Sequence, residues 1–442
     1  MMIFLFPLLC TTEAQNIERI GDIVEIELSG HQYGTIQWQT SNDKQIWHDI
    51  KGENKILLKH VVRESGYYRA KIAQTNCGYF SDKTLIIASP LQEKILFQKD
   101  IFKAGDEGYF YFRIPAIIKT STSRIIAFAE GRKKWGTDAG DIDLVMKYSD
   151  DYGFTWSKLQ IVWDDNQNTC GNPAPVYDEV NNTIWLLTTW NNGQDDEAKI
   201  IEGTSIDGRR VFSLNSTDDG ITWSRPKEIT SDVKTSEMRW YATGPCHGIQ
   251  VSDGKFKNRL IIPCDHSMNP VYFSHVIYSD DFGSNWKLGG VVPTMWQNEC
   301  SIAELKDGKL ILSIRNFALI YKGYRTTSYS NDGGLKWTSV KPNPYLIQPN
   351  CQGSLLSIKP EVSDNNYKLY SSNPSNKAIR ENLIIKISND DGITWNDSIS
   401  VYKGPSAYSD MLEISKNSIG IIFENGINHP YEKISYGFVK IQ

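Results

Sequence analysis

The chain has 442 residues, 40% of them hydrophobic, too many for one ordinary core; two domains, or one large repeat architecture with an accessory module, are expected. Thirteen Trp and 22 Tyr against seven Met point to a β-rich protein rather than a helical bundle. Lys and Arg total 47 and Asp and Glu 52, for a net charge of −5, which excludes a globally basic protein drawn to nucleic acid or an anionic membrane; any anionic ligand must be met by local charges.

Residues 1–15, "MMIFLFPLLCTTEAQ", are an apolar run followed by small and polar residues. This reads as a secretory signal, although the basic n-region is missing, and carries the expectation of a secreted, periplasmic or cell-surface protein. Cys10, after Leu8-Leu9, raises a lipoprotein site, with Leu9 larger than such a site usually takes; a short strand or tail is the plain alternative. No other apolar stretch approaches the roughly 18 residues that cross a bilayer. Seven scattered cysteines, with no CxxC and no His at metal spacing, form neither a zinc site nor a disulfide framework, so no metal or cofactor is expected.

Residues 16–90 alternate apolar and polar, as in "DIVEIELSG", "GTIQWQTSN" and "KTLIIAS", with turn residues between, the pattern of a small antiparallel sandwich. "IQWQTSNDKQIWHDI" followed by "SGYYRAKI" resembles the immunoglobulin-like modules found beside catalytic domains of secreted bacterial proteins. "SPLQEK", residues 89–94, reads as a linker.

Over residues 91–442 a repeat dominates. "SDDYGFTW" from Ser149, "STDDGITW" from Ser216, "SDDFGSNW" from Ser279, "SNDGGLKW" from Ser330 and "SNDDGITW" from Ser388 all keep Ser-x-Asp-x-Gly-x-x-Trp, with starts 67, 63, 51 and 58 residues apart. The physical reading is a hairpin: Asp accepts from turn amides, Gly supplies a positive φ, and Trp leaves the turn to pack on a neighbouring strand. Two boxes are degenerate, with Asn285 and Lys336 in place of Thr. A period near 60 fits a four-stranded blade plus loops, and no stretch keeps a 3.6-residue period. The fold class is therefore all-β: a six-bladed β-propeller with a small N-terminal β-sandwich, the ring closed by "EKISYGFVKIQ" pairing near "KILFQKD".

Repeated Asp boxes together with "FRIP", Phe112 to Pro115, resemble the exo-sialidases, or neuraminidases, from about residue 95 to the end. Boxes alone are not specific, since non-enzymatic propellers carry them. The resemblance implies Arg113, Arg315 and Arg380 as three arginines on the substrate carboxylate, Asp138 as acid/base, Glu299 as the base beside a nucleophile Tyr408, and Glu424 as the carboxylate bracing the first arginine. Arg132 matches an arginine near the sugar's C4 hydroxyl in similar enzymes, with neutralisation of Asp141 or Asp143 as the alternative. Trp190 reads as a blade-core residue or the lining of an N-acetyl pocket, and His247 as a hydrogen-bonded structural residue rather than a catalyst.

The chemistry asks for such a set. A sialic acid bears a carboxylate on its anomeric carbon, and planar guanidiniums hold a fixed anion better than ammonium groups. That carboxylate disfavours an anionic nucleophile; a phenol is neutral, but with a pKa near 10 it needs a base. Asp138 would protonate the departing oxygen and then activate water, which makes the reaction retaining; sialidases with a tyrosine nucleophile are a named exception to the two-carboxylate rule. Taken singly, each residue has a mundane reading as a turn cap, surface charge or rim aromatic. In this order, on this scaffold, they read as one site acting on sialylated glycans. Transfer instead of hydrolysis, within or between molecules, and a non-catalytic lectin are the competing functions.

Overall fold

The computed structural model describes residues 14–19, 23–28, 34–61, 65–74, 77–81, 84–89, 95–134, 138–359 and 367–441. The signal-like reading, up to residue 13 and including Cys10, and the linker reading over residues 90–94 lie outside the described residues. The chain divides into two compact units, Met1–Phe97 and Gln98–Gln442. No helix among the described residues is long and apolar enough to cross a membrane.

In the first unit one sheet runs Ala14–Arg19, Thr84–Ser89, Gly66–Gln74, Thr35–Ser41, His48–Asp49, and Ile23–Glu27 pairs separately with Leu57–Val61. The alternation decides which side is buried: Trp38, Tyr68, Ala70 and Ile72 from the large sheet pack with Val24 and Leu58 from the small one. A turn missed in the sequence repeats the box logic here, one residue shorter. Asp43 Oδ1 accepts from the amides of Gln45 and Ile46, each at 2.8 Å, and Trp47 Nε1 donates to Lys44 O at 3.0 Å.

The second unit is almost wholly strand, and its strands fall into antiparallel meanders of four in chain order. The innermost strands of successive meanders are Tyr111–Lys119, Thr169–Asp178, Tyr241–Thr243 with Ile249–Gln250, Gln297–Glu304, Ser354–Ile358 and the C-terminal half of Asp397–Ser415. Each touches the next, and the last touches the first. Among the described residues there are six such meanders, arranged as a ring. In the sixth, Lys433–Lys440 takes Ile95–Lys103 as its outer neighbour, so the end of the chain is held by a strand from the start of the unit. Ser435 Oγ and Lys433 Nζ both reach Asp100 there, at 2.8 and 3.1 Å.

The boxes lock the ring. In the first, Asp151 accepts from the amide and hydroxyl of Thr155, Ser149 Oγ accepts from the amide of Gly153, and Trp156 Nε1 donates to Gly153 O. At the degenerate positions, Asn285 Nδ2 supplies the bond a Thr hydroxyl would make, at 2.7 Å, whereas Lys336 keeps only its amide bond to Asp332. Two box glycines have a second reason to be glycine beyond their positive φ. A Cβ on Gly283 would lie 2.1 Å from the ring of Trp185 and one on Gly153 would lie 2.1 Å from Tyr436, so the preceding meander fills the space. The tryptophans lean the same way: Trp223 on Phe128, Trp286 on Trp185, and Trp156 across the closure on Tyr436.

On the axis sits Asp410, fully buried. Its Oδ2 accepts from the amides of Ile117 and His247 at 3.0 and 3.1 Å; its Oδ1 accepts from Ser354 Oγ at 2.8 Å and pairs with His247 Nδ1 at 2.7 Å. One carboxylate thus ties the sixth meander to the first, third and fifth. His247 is therefore a structural partner, and its pKa is raised: burial pulls it down, but the charge and hydrogen bond of Asp410 outweigh burial. Asp410→Ala strands these donors in a dry interior and is expected to cost about 3–5 kcal/mol, the scale of a broken buried pair. Urea titration of both proteins checks this.

Candidate active site

Four innermost strands break register at corresponding places, and each break carries a pocket residue. The irregularities fall between Arg113 and Ala116, Gly171 and Ala174, Gln297 and Cys300, and Ser406 and Ser409. A bulge inserts unpaired residue and bends the strand, which re-aims a side chain from a sheet face to the strand's end. Ile114 and Asn172 accordingly have φ of 57° and 54°. Arg113, Asn172, Glu299 and Tyr408 all line one hollow of about 300 Å³ at that end of the ring.

The structure brings every residue expected for the site to this hollow or directly behind it. Arg113, Arg132, Asp138, Glu299, Arg315, Arg380 and Tyr408 line it. Glu424, wholly buried behind them, accepts from Arg113 Nε at 2.7 Å and Ile114 N at 2.9 Å through one oxygen, and from Tyr408 N at 3.1 Å through the other. Tyr408 Oη donates to Glu299 Oε1 at 2.5 Å. Arg315 Nη1 donates to Glu299 Oε2 at 2.6 Å and to Tyr408 Oη at 3.1 Å, while its Nε is buried and makes no hydrogen bond. Arg380 donates to Tyr431 Oη and Asn350 O, at 2.6 and 3.0 Å.

The electrostatics follow from burial. Burial, and then the charge of Glu299, hold the Tyr408 phenol well above its ordinary pKa, against the pull of Arg315, Arg380 and Arg113, so the resting phenol is neutral. Asp138 differs: its side chain is 57% exposed and Arg132 Nη2 lies 2.7 Å from its Oδ1. Burial of the carboxyl raises its pKa, but the charges of Arg132 and Arg113 prevail and hold it down to about 2.

Arg132 also lies 2.6 Å from Glu130 Oε2, and it does not neutralise Asp141 or Asp143. Those two pair with Lys133, at 3.0 and 3.1 Å, which corrects that alternative: the strand carries Arg132 into the hollow and leaves its neighbour for the outer carboxylates. Trp190 is not among the residues lining the hollow; its Nε1 donates to Asp165 Oδ2 at 2.6 Å and its ring packs at the edge of a blade core.

Sequence reasoning missed several lining groups. Arg209 is buried against Trp240, 3.8 Å from its centroid, and bonds Tyr241 O and the side-chain oxygens of Asn172 and Asn191. Burial lowers its pKa to about 10 against the raising charges of Glu130 and Glu197. Tyr431, whose ring lies 3.8 Å from the guanidinium carbon of Arg113, gave no signal in "NHPYEK". Asp265, Glu197 and Tyr272 form an acidic wall, Tyr272 Oη donating to Glu197 at 2.7 Å. Asp265, raised well above the carboxylate range by burial and then by Glu299 and Glu197, accepts from Asn298 Nδ2 at 2.8 Å.

A ring of β-meanders whose hollow joins clustered guanidiniums to a tyrosine–glutamate pair is a β-propeller with a site suited to an anionic ligand. Comparison with known proteins gives the family. A model described as a BNR repeat-like domain matches residues 123–421, and one of a domain of unknown function matches residues 11–90. The chain is 31% identical over 344 residues to an exo-alpha-sialidase of Aspergillus fumigatus, covering 72% of this chain and 79% of that protein. It is 30% identical over 347 residues to a sialidase of Bacteroides fragilis, covering 74% of this chain and 62% of that protein's length. Among solved structures, a Hadza microbial sialidase aligns with a TM-score of 0.69 at 20% identity over 97% of this chain and 98% of its own. The intramolecular trans-sialidase of Ruminococcus gnavus aligns at 0.63 and 19% identity over 77% and 97% of the two chains. The chain belongs to the sialidase family of glycoside hydrolases, built on BNR repeats.

The Arg132–Asp138 pair generates a prediction. Arg132→Gln removes a cation 2.7 Å from the carboxyl, so the pKa of Asp138 rises. If Asp138 is the acid of the reaction, it must be protonated to act and in the variant stays protonated to higher pH. The alkaline limb of the kcat/KM profile should move upward in the variant; an unmoved limb would assign the acid elsewhere.

Proposed function

We propose that the protein is a retaining exo-alpha-sialidase that hydrolyses terminal sialic acids from glycoproteins, glycolipids or oligosaccharides through a covalent sialyl-tyrosine intermediate. In this reading residues 91–442 are a six-bladed propeller catalytic domain, residues 16–90 an immunoglobulin-like accessory domain, and residues 1–15 a signal for a secreted, periplasmic or cell-surface location. The observation that carries it is the convergence of Arg113, Arg315 and Arg380 on a phenol hydrogen-bonded to Glu299 at 2.5 Å.

The steps follow from the resting contacts. The sialoside carboxylate enters among the three guanidiniums that line the hollow. As Tyr408 Oη attacks the anomeric carbon, its proton passes along the existing bond to Glu299. Asp138 protonates the leaving oxygen. Ionised in the empty hollow, it is primed when the bound carboxylate cancels part of the field of Arg113, one of the cations that depress it. It then takes a proton from the water that opens the sialyl-tyrosine, and two inversions return the α-anomer.

Two substitutions test this. Tyr408→Phe keeps the ring that packs on Arg113 and Arg380 but deletes the nucleophile, so turnover should fall by about three orders of magnitude or more while an unreactive sialic acid analogue still binds. Full turnover would sink the covalent-tyrosine reading; wild type that binds sialosides of every linkage and cleaves none would be a lectin. Product analysis by NMR separates free sialic acid from a transferred or anhydro sugar. Arg315→Lys keeps the charge and loses the fork, at a cost of about 1.5–3 kcal/mol in carboxylate binding, read as a rise in KM.

A further inference from the structure

A second hollow, of about 470 Å³, opens beside the first, within the size range of small-molecule clefts. Both lie at the same end of the ring, because Arg132, Ile142, Thr169 and Asn191 are register partners at the strand ends from which the walls of the second hollow spring. Among the described residues three loops make those walls: Ala139 to Asp141, Gln167 with Asn168, and Asn192 to Gln194.

The loops are braced. Gly140 and Thr169 exchange bonds at 3.0 Å, Gly193 N donates to Asn168 Oδ1 at 3.1 Å, and Asn168 Nδ2 donates to Asp165 at 2.8 Å. Gly193 comes so near the facing loop that a Cβ there would lie 1.9 Å from Gln167 O. The hollow is therefore a built cleft between fixed loops. Within it the side-chain amides of Gln167 and Gln194, Nδ2 of Asn192 and Nζ of Lys134 have no hydrogen-bond partner among the described residues.

The partition between the two hollows is the chain at Asp138, which lines the first, and Ala139 and Gly140, which line the second. On the proposed reading of the main site, Asp138 must reach the glycosidic oxygen, and the saccharide beyond that oxygen lies on the acid's side of the bond. We infer that the second hollow is the subsite for the leaving saccharide, a neutral, hydroxyl-rich sugar held by amide hydrogen bonds. Each hydroxyl both donates and accepts, and a side-chain amide offers both functions. Among the described residues the lining offers the polar side chains of Gln167, Gln194, Asn192 and Lys134, so recognition rests on hydrogen bonds to a saccharide's hydroxyls.

The test compares two leaving groups on the full chain. The side chains of Gln167 and Gln194 hold no loop together, so the double variant Gln167→Ala, Gln194→Ala should fold with an unchanged melting curve. Its kcat/KM on sialyllactose should fall about 5- to 20-fold, the loss of one or two neutral hydrogen bonds, while that on an aryl α-sialoside stays within about twofold. Inhibition by free lactose should weaken in parallel. Equal losses on both substrates, or no loss on sialyllactose, would overturn the subsite. Wild type that cleaves neither substrate removes the sialidase reading itself and the subsite with it, and is recognised before any variant is made.

Discussion

Five guanidiniums, from Arg113, Arg132, Arg209, Arg315 and Arg380, line one hollow, and the rest of the site is arranged around making that tolerable. A buried cation without a partner costs several kcal/mol, and like charges in one cavity repel. Each arginine has its own answer. Arg113 is matched by Glu424, Arg315 by Glu299, and Arg132 by Glu130 and Asp138. Arg209 is held by neutral oxygens and the face of Trp240, and Arg380 by a phenol and a backbone carbonyl. Arg315 Nε is buried without a hydrogen-bond partner, so Arg315 is compensated through Nη1, which reaches both Glu299 and Tyr408.

The scaffold explains how such a density of charge is reached. Strands with regular pairing would point these side chains up and down the sheet faces, into blade cores where Leu, Ile and Val belong. The register breaks at Arg113, Asn172, Glu299 and Tyr408 turn them toward the axis while the strand beyond resumes its pairing. Asp410, two residues beyond Tyr408, then binds three other meanders at once, so the strand that bears the phenol is fixed from behind. Gly171 completes the arrangement: a Cβ there would stand 2.6 Å from Glu130 Oε1, and its absence lets Glu130 reach the amide of Asn172.

What was legible in the sequence is what short-range chemistry dictates. Ser-x-Asp-x-Gly-x-x-Trp closes a turn on itself, so the period of the boxes predicts the repeat, and "FRIP" with the later arginines predicts a cluster of cations. The reason Gly153 and Gly283 cannot be alanine lay outside that logic, because the rings that fill the space, Tyr436 and Trp185, belong to the preceding meander and stand far away in the sequence. Arg209, Tyr431 and Asp265 were illegible for the same reason. Nothing near them in sequence sets their role; it comes from Trp240, Arg113 and Asn298 across the ring. Arg132 was found, but which carboxylates meet it was not: Glu130 and Asp138 do, whereas Asp143 on the paired strand and Asp141 just before it meet Lys133 instead.

Glu424 shows how little freedom the arrangement leaves. One oxygen takes Arg113 Nε and Ile114 N; the other takes the amide of Tyr408. The same buried carboxylate thus sets both Arg113 and the backbone of Tyr408, in the proposed mechanism the first finger of the anion clamp and the nucleophile. Separate anchors would let clamp and phenol drift apart by the fraction of an ångström that a displacement at the anomeric carbon does not forgive. On the proposed mechanism, an anchor shared between them fixes where the carboxylate of a sialoside would sit relative to Tyr408 Oη before any substrate arrives. On that mechanism the neutral phenol completes the logic: an anionic nucleophile at that position would meet both Glu299 and the incoming carboxylate, whereas a phenol giving its proton to Glu299 would develop charge only as the bond forms, beside Arg315.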